Sequence, residues 1–517
     1  MSDAPAASLS QQSAIGTLSD DVFLEIFKSY LEGDEHPFRF RRHPWCPLAG
    51  VCQRWRHVIA ASPHYLRLQI LCTTGNPVRY LMSGWPAVPI AISHRGDPKC
   101  YKCKPEVVIV DDIIAALKHN DRIFKIELLD VLSRQLERFV VAMQKPFPKL
   151  TSLNIGAADR GKDFLYQTPP PSPPDFPDSF LGGSAPCLKS LHLDGIPFPG
   201  LPKLLLSSHD LVDVHLWDSI PSSVYFTPEE MATCLSPMKH LKLLKLKYYA
   251  ADSPSLAVEQ HSPSLTRVVL PALTSLQFYC ASNFLEGLVS RLDAPSLEMM
   301  DIQFPRSNEP VSNLSELPRF ISRIEAFETF DQVDINLLYE DIHFIFSPQT
   351  SSAASAELVL IFVPMTSRFL DDLTPVVCSF LPPLSRFKRL RLREHRFPCP
   401  IWNPWASDTR NTPMQEILYL FTAVTDIFIS EYMVTKVSRC MEGLSEERTT
   451  AMLPALRNIF VAKLQSQEKC TNDAIQELIA AKGLAGHPVT LHPWEVDRTS
   501  TLHFEYQFQP RASQTGN

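Results

Sequence analysis

The chain of 517 residues contains little glycine, 17 residues in all, and no long apolar run. The longest apolar stretches, such as LVLIFV at 358–363, have the length of a strand, whereas a membrane-spanning helix needs about 20 apolar residues. Residues 1–12 are polar, include Asp3 and lack the apolar core of a signal peptide. We therefore expect a soluble protein of the cytoplasm, the nucleus or both, with no membrane partner.

Closely spaced cysteines and an excess of basic charge are also missing. The 12 cysteines are scattered, which predicts reduced thiols rather than a disulfide framework. His94, Cys100 and Cys103 could form part of a zinc site, but no second Cys/His pair with finger spacing follows, so no metal is predicted. The formal net charge of −7 argues against a nucleic-acid partner, because the surface of a nucleic-acid binder is basic.

Motifs of enzymes are absent from the sequence as well. There is no Gly-x-Ser-x-Gly elbow, no GxxxxGK phosphate loop, no GxGxxG after a strand and no HExxH. We therefore predict that the protein is not an enzyme, with no catalytic residue and no cofactor. The alternative, a hydrolase hidden in the body of the chain, predicts that one Cys or Ser reacts with an activity probe.

Two helical segments lie between Thr17 and Leu66. Thr17 and Asp20 have capping-box spacing, and the apolar residues that follow recur at three- and four-residue steps as far as Tyr30. A second helix is predicted from Pro47 to the Ser62-Pro63 stop. An ordinary hairpin packed on the body explains this pattern. Two helices this short cannot bury both faces on each other, however, so a protein partner is the other explanation.

This segment resembles the F-box, the module through which substrate receptors join cullin-type ubiquitin ligases. The resemblance implies contacts with the small cullin adaptor from the matching positions, which are Leu18, Val22, Leu24, Ile26, Phe27, Leu48, Val51, Cys52, Trp55 and Leu66. Two features depart from the F-box pattern. Ser19 stands where a proline is usual, and the loop from Glu32 to Pro44 is longer than the minimal one.

A phrase of three apolar residues, spaced as L-x-x-L-x-L, recurs after residue 120. The copies are Ile123/Ile126/Leu128, Leu150/Leu153/Ile155, Leu188/Leu191/Leu193, Leu211/Val214/Leu216, Leu241/Leu244/Leu246, Leu273/Leu276/Phe278, Leu297/Met300/Ile302, Phe387/Leu390/Leu392, Val424/Ile427/Ile429 and Leu456/Ile459/Val461. The phrase is typical of leucine-rich repeats, although the spacing is uneven and the usual asparagine is mostly missing. Unrelated half-buried strands are the alternative, and residues 311–386 fit the repeat worst.

We predict an α/β fold in which an N-terminal helical F-box is followed by an irregular leucine-rich-repeat-like solenoid. The predicted divisions are a flexible tail (1–14), the F-box (15–66), a connecting α/β segment (67–120), the solenoid (121–465) and a C-terminal cap with a polar tail (466–517). The dense prolines of 167–184 predict a loop or disordered insertion within the solenoid, with a ligand for another domain as the alternative. The arrangement is similar to a large group of fungal (basidiomycete) F-box proteins, a resemblance also carried by residues 67–92, 119–131 and 143–156.

On such a solenoid the side chains that point away from the core line a concave face, which is the usual binding surface. The candidate substrate-binding residues there are His215, Trp217, Lys245, Lys247, Tyr279, Arg391 and Arg393, with the cations suited to acidic or phosphorylated segments. A solvated strand face is the alternative for each of them. The resemblance implies a substrate-receptor subunit of an SCF-type ligase with an unknown protein target. The alternative is a non-degradative scaffold that uses the F-box only for assembly.

Overall fold

The structure is a computed structural model. It describes residues 17–32, 43–73, 79–96, 106–158, 174–196, 198–218, 227–248, 267–304, 314–337, 341–349, 356–362, 384–394, 412–430, 433–434, 436–437, 445–462, 476, 479–480, 482–483, 486 and 488–494. The chain divides into two compact units. Unit 1 comprises Met1–Val224 and Pro237–Leu241, and unit 2 comprises Tyr225–Ser236 and Lys242–Asn517. Within the described residues no helix is both long and apolar enough to cross a membrane.

Unit 1 begins with helices and continues as a parallel sheet. Its helices are α1 (Asp20–Glu32), α2 (Cys46–Val51), α3 (Gln53–Ala61), α4 (Arg79–Gly84), α5 (Glu106–Leu117), α6 (Ser133–Ala142) and α7 (Leu201–Ser207). Its strands are β1 (Ile70–Cys72), β2 (Ile90–Arg95), β3 (Ile123–Val131), β4 (Ser152–Ala157), β5 (Ser190–Asp194) and β6 (Asp213–Asp218). These strands pair side by side in chain order, and every pair is parallel.

Unit 2 continues the alternation of strand and connection. Its helices are α8 (Pro228–Leu235), α9 (Ser282–Val289), α10 (Glu316–Ile321), α11 (Glu325–Glu328), α12 (Thr412–Tyr419) and α13 (Glu446–Ala451). Its strands are β7 (Leu243–Tyr248), β8 (Val268–Val269), β9 (Ser275–Tyr279), β10 (Leu292–Asp293), β11 (Met299–Phe304), β12 (Gln332–Leu337), β13 (Ile342–Ser347), β14 (Glu357–Phe362), β15 (Arg389–Glu394), β16 (Asp426–Ile429), β17 (Asn458–Ala462) and β18 (Thr490–Trp494). β8 and β10 form a separate parallel pair.

The repeated apolar residues stack from strand to strand, as the phrase predicts. In unit 1 Ile126 pairs in register with Leu153, and Leu153 pairs with Leu191. All three are fully buried. We call the face of each sheet that carries these residues the inward face, and the opposite one the outward face. The fold of both units is therefore α/β with leucine-rich-repeat-like stacking.

Most copies of the phrase start at a tight turn. The N–H of Leu150 donates to the carbonyl of Phe147 (3.1 Å), and that of Leu297 donates to Ala294 (3.2 Å). The turn brings the next residue against the preceding coil. Thr151, for example, donates from both its N–H and its Oγ1 to the carbonyl of Phe124, at 2.8 and 3.0 Å. Such turns give successive coils the same register without the usual asparagine.

The strand order changes inside unit 2, where it runs β7-β9-β11-β14-β13-β12-β15-β16-β17-β18. β12, β13 and β14 form a meander in reverse chain order, with β13 antiparallel to both of its neighbours. β14 pairs with β11 and β12 pairs with β15, both in parallel. All three strands are buried on both faces, and β13 and β14 are mostly apolar, whereas β12 alternates Gln332, Asp334 and Asn336 with apolar residues. The strands β12, β13 and β14 therefore belong to the sheet, although they interrupt its parallel order.

The Pro-rich insertion is described only from residue 174 onward. That part contains a short 3₁₀ helix (Phe180–Gly183) and packs into the interior of unit 1. Phe176 and Phe180 are buried and lie 4.5 Å apart by ring centroid, and Phe198 lies within 5.6 Å of each ring. Residues 167–173 of the predicted insertion, the predicted tail at 1–14 and most of the predicted cap lie outside the described residues.

Candidate functional site

An aromatic cluster joins α1 to α3. The Phe23 and Phe27 rings stack with their centroids 5.8 Å apart, and Trp55 lies 5.6 Å from Phe23 and 4.9 Å from Phe27. Both phenylalanines are fully buried, and Trp55 is half-buried. Because this contact uses one face of α1, the opposite face of the helix is left toward solvent.

Arg54 ties the start of α1 to α3. Its guanidinium lies 2.8 Å from the Asp20 carboxylate, donates to the carbonyl of Leu18, and stands 4.9 Å from the centre of the Phe23 ring. The helix itself starts at Asp20, and the Ser19 Oγ accepts from the N–H of Val22 at 3.4 Å. The expectation that Thr17 caps this helix is therefore wrong. Ser19, the residue found where the F-box pattern usually has proline, takes the cap position.

The second predicted helix is broken at Cys52. This residue is extended, with φ −157° and ψ 170°, and its Sγ accepts from the N–H of Trp55 at 3.5 Å, so it caps α3. Pro47 lies in the first turn of α2, as its missing N–H predicts. Two short helices thus replace the one that was predicted, and Val51 and Cys52 at the break are exposed to solvent.

The ten candidate adaptor-binding residues fall into three groups. Val22, Ile26 and Val51 have exposed side chains, at 42, 46 and 60% of their full area, and Cys52 is exposed too. Half-buried positions are taken by Leu18, Leu24, Leu48 and Trp55. Phe27 and Leu66 are buried, at 0 and 5%, so they support the helices rather than form their surface. Tyr30, at 54%, continues the exposed row of Val22 and Ile26 along α1.

The helical segment is attached to the sheet of unit 1 by residues that the sequence did not single out. The Trp45 ring lies 4.8 Å from Trp85, and its Nε1 donates to the carbonyl of Gln69 at 3.2 Å. His43 Nε2 accepts from the N–H of Leu71 at 2.9 Å, which satisfies a donor of edge strand β1. Burial lowers the pKa of His43, in keeping with the neutral imidazole that this acceptor role requires.

His94 lies on the inward face of unit 1. It is 5% exposed, its ring lies 6.2 Å from Phe139, and neither ring nitrogen has a hydrogen-bond partner among the described residues. Burial lowers its pKa. Cys100 and Cys103 lie outside the described residues, and the described residues contain no group of three or more His, Cys, Asp or Glu that could hold a metal ion.

The outward face of unit 1 carries His215 and Trp217 on β6. The His192 and His215 rings stack across the strand pair at 3.8 Å, and Ser190 Oγ lies 3.4 Å from His192 Nε2. Trp217 is 42% exposed and pairs in register with Asp194. An exposed tryptophan beside polar side chains is typical of a protein contact surface.

On the outward face of unit 2 the predicted cations fall into two distant groups. Lys245 and Lys247 lie on β7, with the Lys247 Nζ 5.0 Å from the centre of the Tyr279 ring. Arg391 and Arg393 lie on β15, with five strands between the two groups. At about 4.8 Å per strand the groups are about 29 Å apart. Between them the outward residues of β12, β13 and β14 are mostly buried, so the two groups do not form one continuous surface.

These buried outward residues include an apolar cluster, and an acidic residue on β11 lies beside it. Ile345, Val359 and Ile361 face outward but are only 4–7% exposed. Next to Val359 in register, Asp301 has an Oδ1 that is buried without a hydrogen-bond partner among the described residues. Burial raises the pKa of Asp301 to about 6, and the charges of His343 and Lys245 oppose the rise.

Arg391 and Arg393 converge on one carboxylate. Asp334 Oδ2 lies 3.5 Å from Arg391 Nη1 and 3.8 Å from Arg393 Nη2, and Gln332 Nε2 donates to Oδ1 at 3.1 Å. Asp334 is 8% exposed. Burial raises its pKa, and the two guanidiniums oppose the rise. The positive charge predicted here is therefore partly neutralised by a residue that only the meander brings beside β15.

Aromatic rings extend from Arg391 across the outward face of β16, β17 and β18. Phe428 and Phe460 stack at 4.4 Å with 9° between their planes, and Phe460 lies 5.0 Å from His492. Trp494 lies 5.4 Å from Phe428. Among the substrate-binding candidates the sequence analysis did not name Phe460, His492 or Trp494. Phe460 lies between the last two apolar residues of its copy of the phrase, an outward-facing position, and this is the signal that could have identified it.

No protein-family model matches the chain, and no curated protein matches it. Among solved structures, the leucine-rich repeat-containing protein LegL7 from Legionella pneumophila is 13% identical, over 80% of this chain and 97% of that one, with a TM-score of 0.25. The TLR13–ssRNA13 complex is 11% identical, over 83% of this chain and 49% of that one, with a TM-score of 0.26. Likenesses at these scores carry no conclusion, so the description of the fold rests on the strand register and the burial of the leucines.

Proposed function

We propose that this protein is a substrate-receptor subunit of a cullin-RING (SCF-type) ubiquitin ligase. Helices α1 to α3 dock on the small cullin adaptor, and the outward faces of the sheets bind a protein target. One observation carries the proposal. α1 leaves Val22, Ile26 and Tyr30 exposed in a row, while Phe23 and Phe27 on its other face hold it against the rest of the segment.

Burial of the exposed row against a partner contributes favourably to the free energy of binding. Fully burying a valine or isoleucine side chain is worth about 1.5–3 kcal/mol, and Val22 and Ile26 are each a little under half exposed. Their burial by a partner therefore contributes about 2 kcal/mol together, with a further contribution from Val51. The aromatic cluster beneath them supports this row, because it fixes α1 before a partner arrives and reduces the entropy lost on docking.

The mechanism needs no bond chemistry from this chain. A receptor that holds a target beside the charged ubiquitin-conjugating enzyme raises the local concentration of the target's lysines. This role fits a chain in which no catalytic motif occurs. It also explains why exposed side chains lie on outward strand faces, as Trp217 does.

The test is co-purification of the adaptor and a cullin with the full chain from cells. The variant Val22→Asp/Ile26→Asp places two charges on the exposed row without touching the aromatic cluster. The matched control is Val141→Asp on α6, which carries the same change at a residue that is 70% exposed in the same unit. We expect the double variant to lose adaptor and cullin, and the control to keep both. Equal recovery with all three proteins contradicts the proposal.

The non-degradative scaffold is separated from the receptor by the fate of the bound proteins. If the chain is a receptor, proteins that co-purify with Val22→Asp/Ile26→Asp accumulate in cells that express this variant, and they also accumulate when the proteasome is blocked. If their levels stay constant under both conditions while the wild-type chain still binds the adaptor, the scaffold is the correct description.

A further inference from the structure

A set of arginine and aromatic side chains covers the outward face of β15 to β18. We call it the arginine–aromatic platform, and it consists of Arg391, Arg393, Phe428, Phe460, His492 and Trp494. Arg391, Phe428, Phe460 and His492 are paired in register on four adjacent strands. They therefore form one straight row across the sheet, with a cation at one end.

The cation end of the row is only partly neutralised. Charge-assisted N–H···O hydrogen bonds are about 2.7–2.9 Å long, whereas the contacts of Asp334 with Arg391 and Arg393 are 3.5 and 3.8 Å. Two guanidiniums contact this one carboxylate, so the formal charges of the three groups sum to one positive charge. The Arg391 side chain is the more accessible of the two, at 27% exposed against 12% for Arg393.

The rest of the row is apolar and preformed. The Arg391 guanidinium lies 5.4 Å from the centre of the Phe428 ring, and Phe428 stacks on Phe460 at 4.4 Å. Phe460 and His492 are half-buried, so their edges reach the surface while their faces are held by neighbours. Arginine and aromatic residues dominate the energetics of protein interfaces, and rings that are already fixed lose little entropy on binding.

We propose that the platform binds an acidic peptide segment of the target, with an anionic side chain on Arg391 and an apolar or aromatic side chain on Phe460. This proposal rests on the proposed function, since it names the substrate class of the receptor. The spacing follows from the sheet. Phe460 lies two strands from Arg391, about 10 Å, and a peptide in the polyproline II conformation rises about 3.1 Å per residue with three residues per turn, so side chains three positions apart lie on one face about 9 Å apart. The anionic residue and the apolar one are therefore three positions apart.

A single-stranded nucleic acid is a poorer fit to the same residues. Arginine and aromatic rings do bind such strands, but the phosphate backbone needs a continuous basic track. Here Asp334 and Asp426 stand among the cations, and Asp426 pairs with Arg389 at 3.9 Å. The net charge of the chain is −7. One anionic side chain matches the single excess positive charge, whereas a chain of phosphates does not.

The experiment is fluorescence polarisation with the full chain and labelled peptides of Gly, Ser and Ala. The probe carries one Glu with a Phe three residues later; companion peptides replace Glu by phosphoserine or Gln, or place Phe directly after Glu. We expect the Glu and phosphoserine probes to bind, and the Gln and shifted-Phe peptides to bind about tenfold more weakly. Arg391→Gln and Phe460→Ala each weaken the Glu probe about tenfold. Arg457→Gln, which removes an exposed positive charge just before β17, leaves binding unchanged.

Asp334→Asn provides a test in which binding should become stronger, and a loss of folding cannot produce that result. It removes the carboxylate that competes for both guanidiniums, so we expect the Glu probe to bind several-fold more tightly. Equal binding of the Glu and Gln peptides, or an Arg391→Gln effect no larger than that of Arg457→Gln, overturns the proposal. So does unchanged or weaker binding by Asp334→Asn. Tighter binding of an oligo-dT strand that displaces the Glu probe also overturns it, in favour of nucleic acid. None of these measurements involves the adaptor, so they test peptide binding independently of adaptor docking.

Discussion

Replacing Asp301 by asparagine should stabilise unit 2 at neutral pH. The carboxyl lies on β11 with a buried Oδ1, and burial raises its pKa to about 6 from an ordinary value of 3.8. A shift of this size corresponds to about 3 kcal/mol of free energy of unfolding, since each pKa unit is worth about 1.4 kcal/mol. Asparagine has the same shape and no charge to desolvate. The opposing charges of Lys245 and His343 are already included in this net shift, so we expect a gain of up to about 3 kcal/mol.

The sign of the pH dependence follows from the raised pKa. Above pH 6 Asp301 is ionised in the folded and unfolded protein, and the folded state bears the full cost of the buried charge. Between pH 6 and 3.8 only the folded state takes up the proton, so the cost declines, and below pH 3.8 it disappears. The advantage of Asp301→Asn over wild type should therefore be largest near pH 7.5 and much smaller at pH 4.5.

The assay is urea denaturation of the two proteins at both pH values, with Glu298→Gln as a control at an exposed residue of the same unit. We expect a higher midpoint for Asp301→Asn at pH 7.5 and a small difference at pH 4.5, with little change for the control. A lower midpoint at pH 7.5, or an advantage that is the same at both pH values, would refute the reasoning. It would mean that the ionised carboxylate is stabilised by its cationic neighbours more than it is destabilised by burial.

Two further predictions concern buried groups of unit 1. His94→Leu should remove a loss of stability at acidic pH. Because burial lowers the pKa of His94, the unfolded state binds the proton first as the pH falls below about 6.5. The wild-type protein therefore loses stability in this range, and the variant does not. Thermal melts at pH 7.5 and 5 check this, and parallel pH profiles for the two proteins contradict it. Arg122→Met should lower the free energy of unfolding by about 3 kcal/mol or more, because Arg122 donates to the carbonyls of Met82, Trp85 and Val88 at 2.6–3.2 Å and these acceptors are left unpaired. Urea denaturation measures the loss, and a variant as stable as wild type would show that water replaces the guanidinium.

The inward face could be predicted from the sequence because its signal is local. Residues two apart in a strand share a face, so Ile126 and Leu128 had to be buried together once the phrase was recognised as a strand. The helices α6 and α8 have local signals of the same kind, since their apolar spacing and, in α8, the Thr227–Glu230 capping box lie within a few residues.

The strand order could not be predicted, because no local signal sets it. The apolar run LVLIFV at 358–363 was visible, but the reverse placement of β12 to β14 depends on which strand edges meet in three dimensions. That placement determines the candidate site. It brings Asp334 beside Arg391, and it separates Lys245 from the arginines by five strands. The break at Cys52 was missed similarly, since this residue has helical spacing and yet adopts an extended conformation.

The central claim is that α1 to α3 form a docking surface for the cullin adaptor. Calorimetric titration of the purified adaptor into the full chain tests it most directly. We predict one-to-one binding by wild type and by Val141→Asp, and affinity at least tenfold lower for Val22→Asp/Ile26→Asp, as expected when about 2 kcal/mol of apolar burial is lost. No binding by the folded wild-type chain, or equal affinity for the double variant, would contradict the claim.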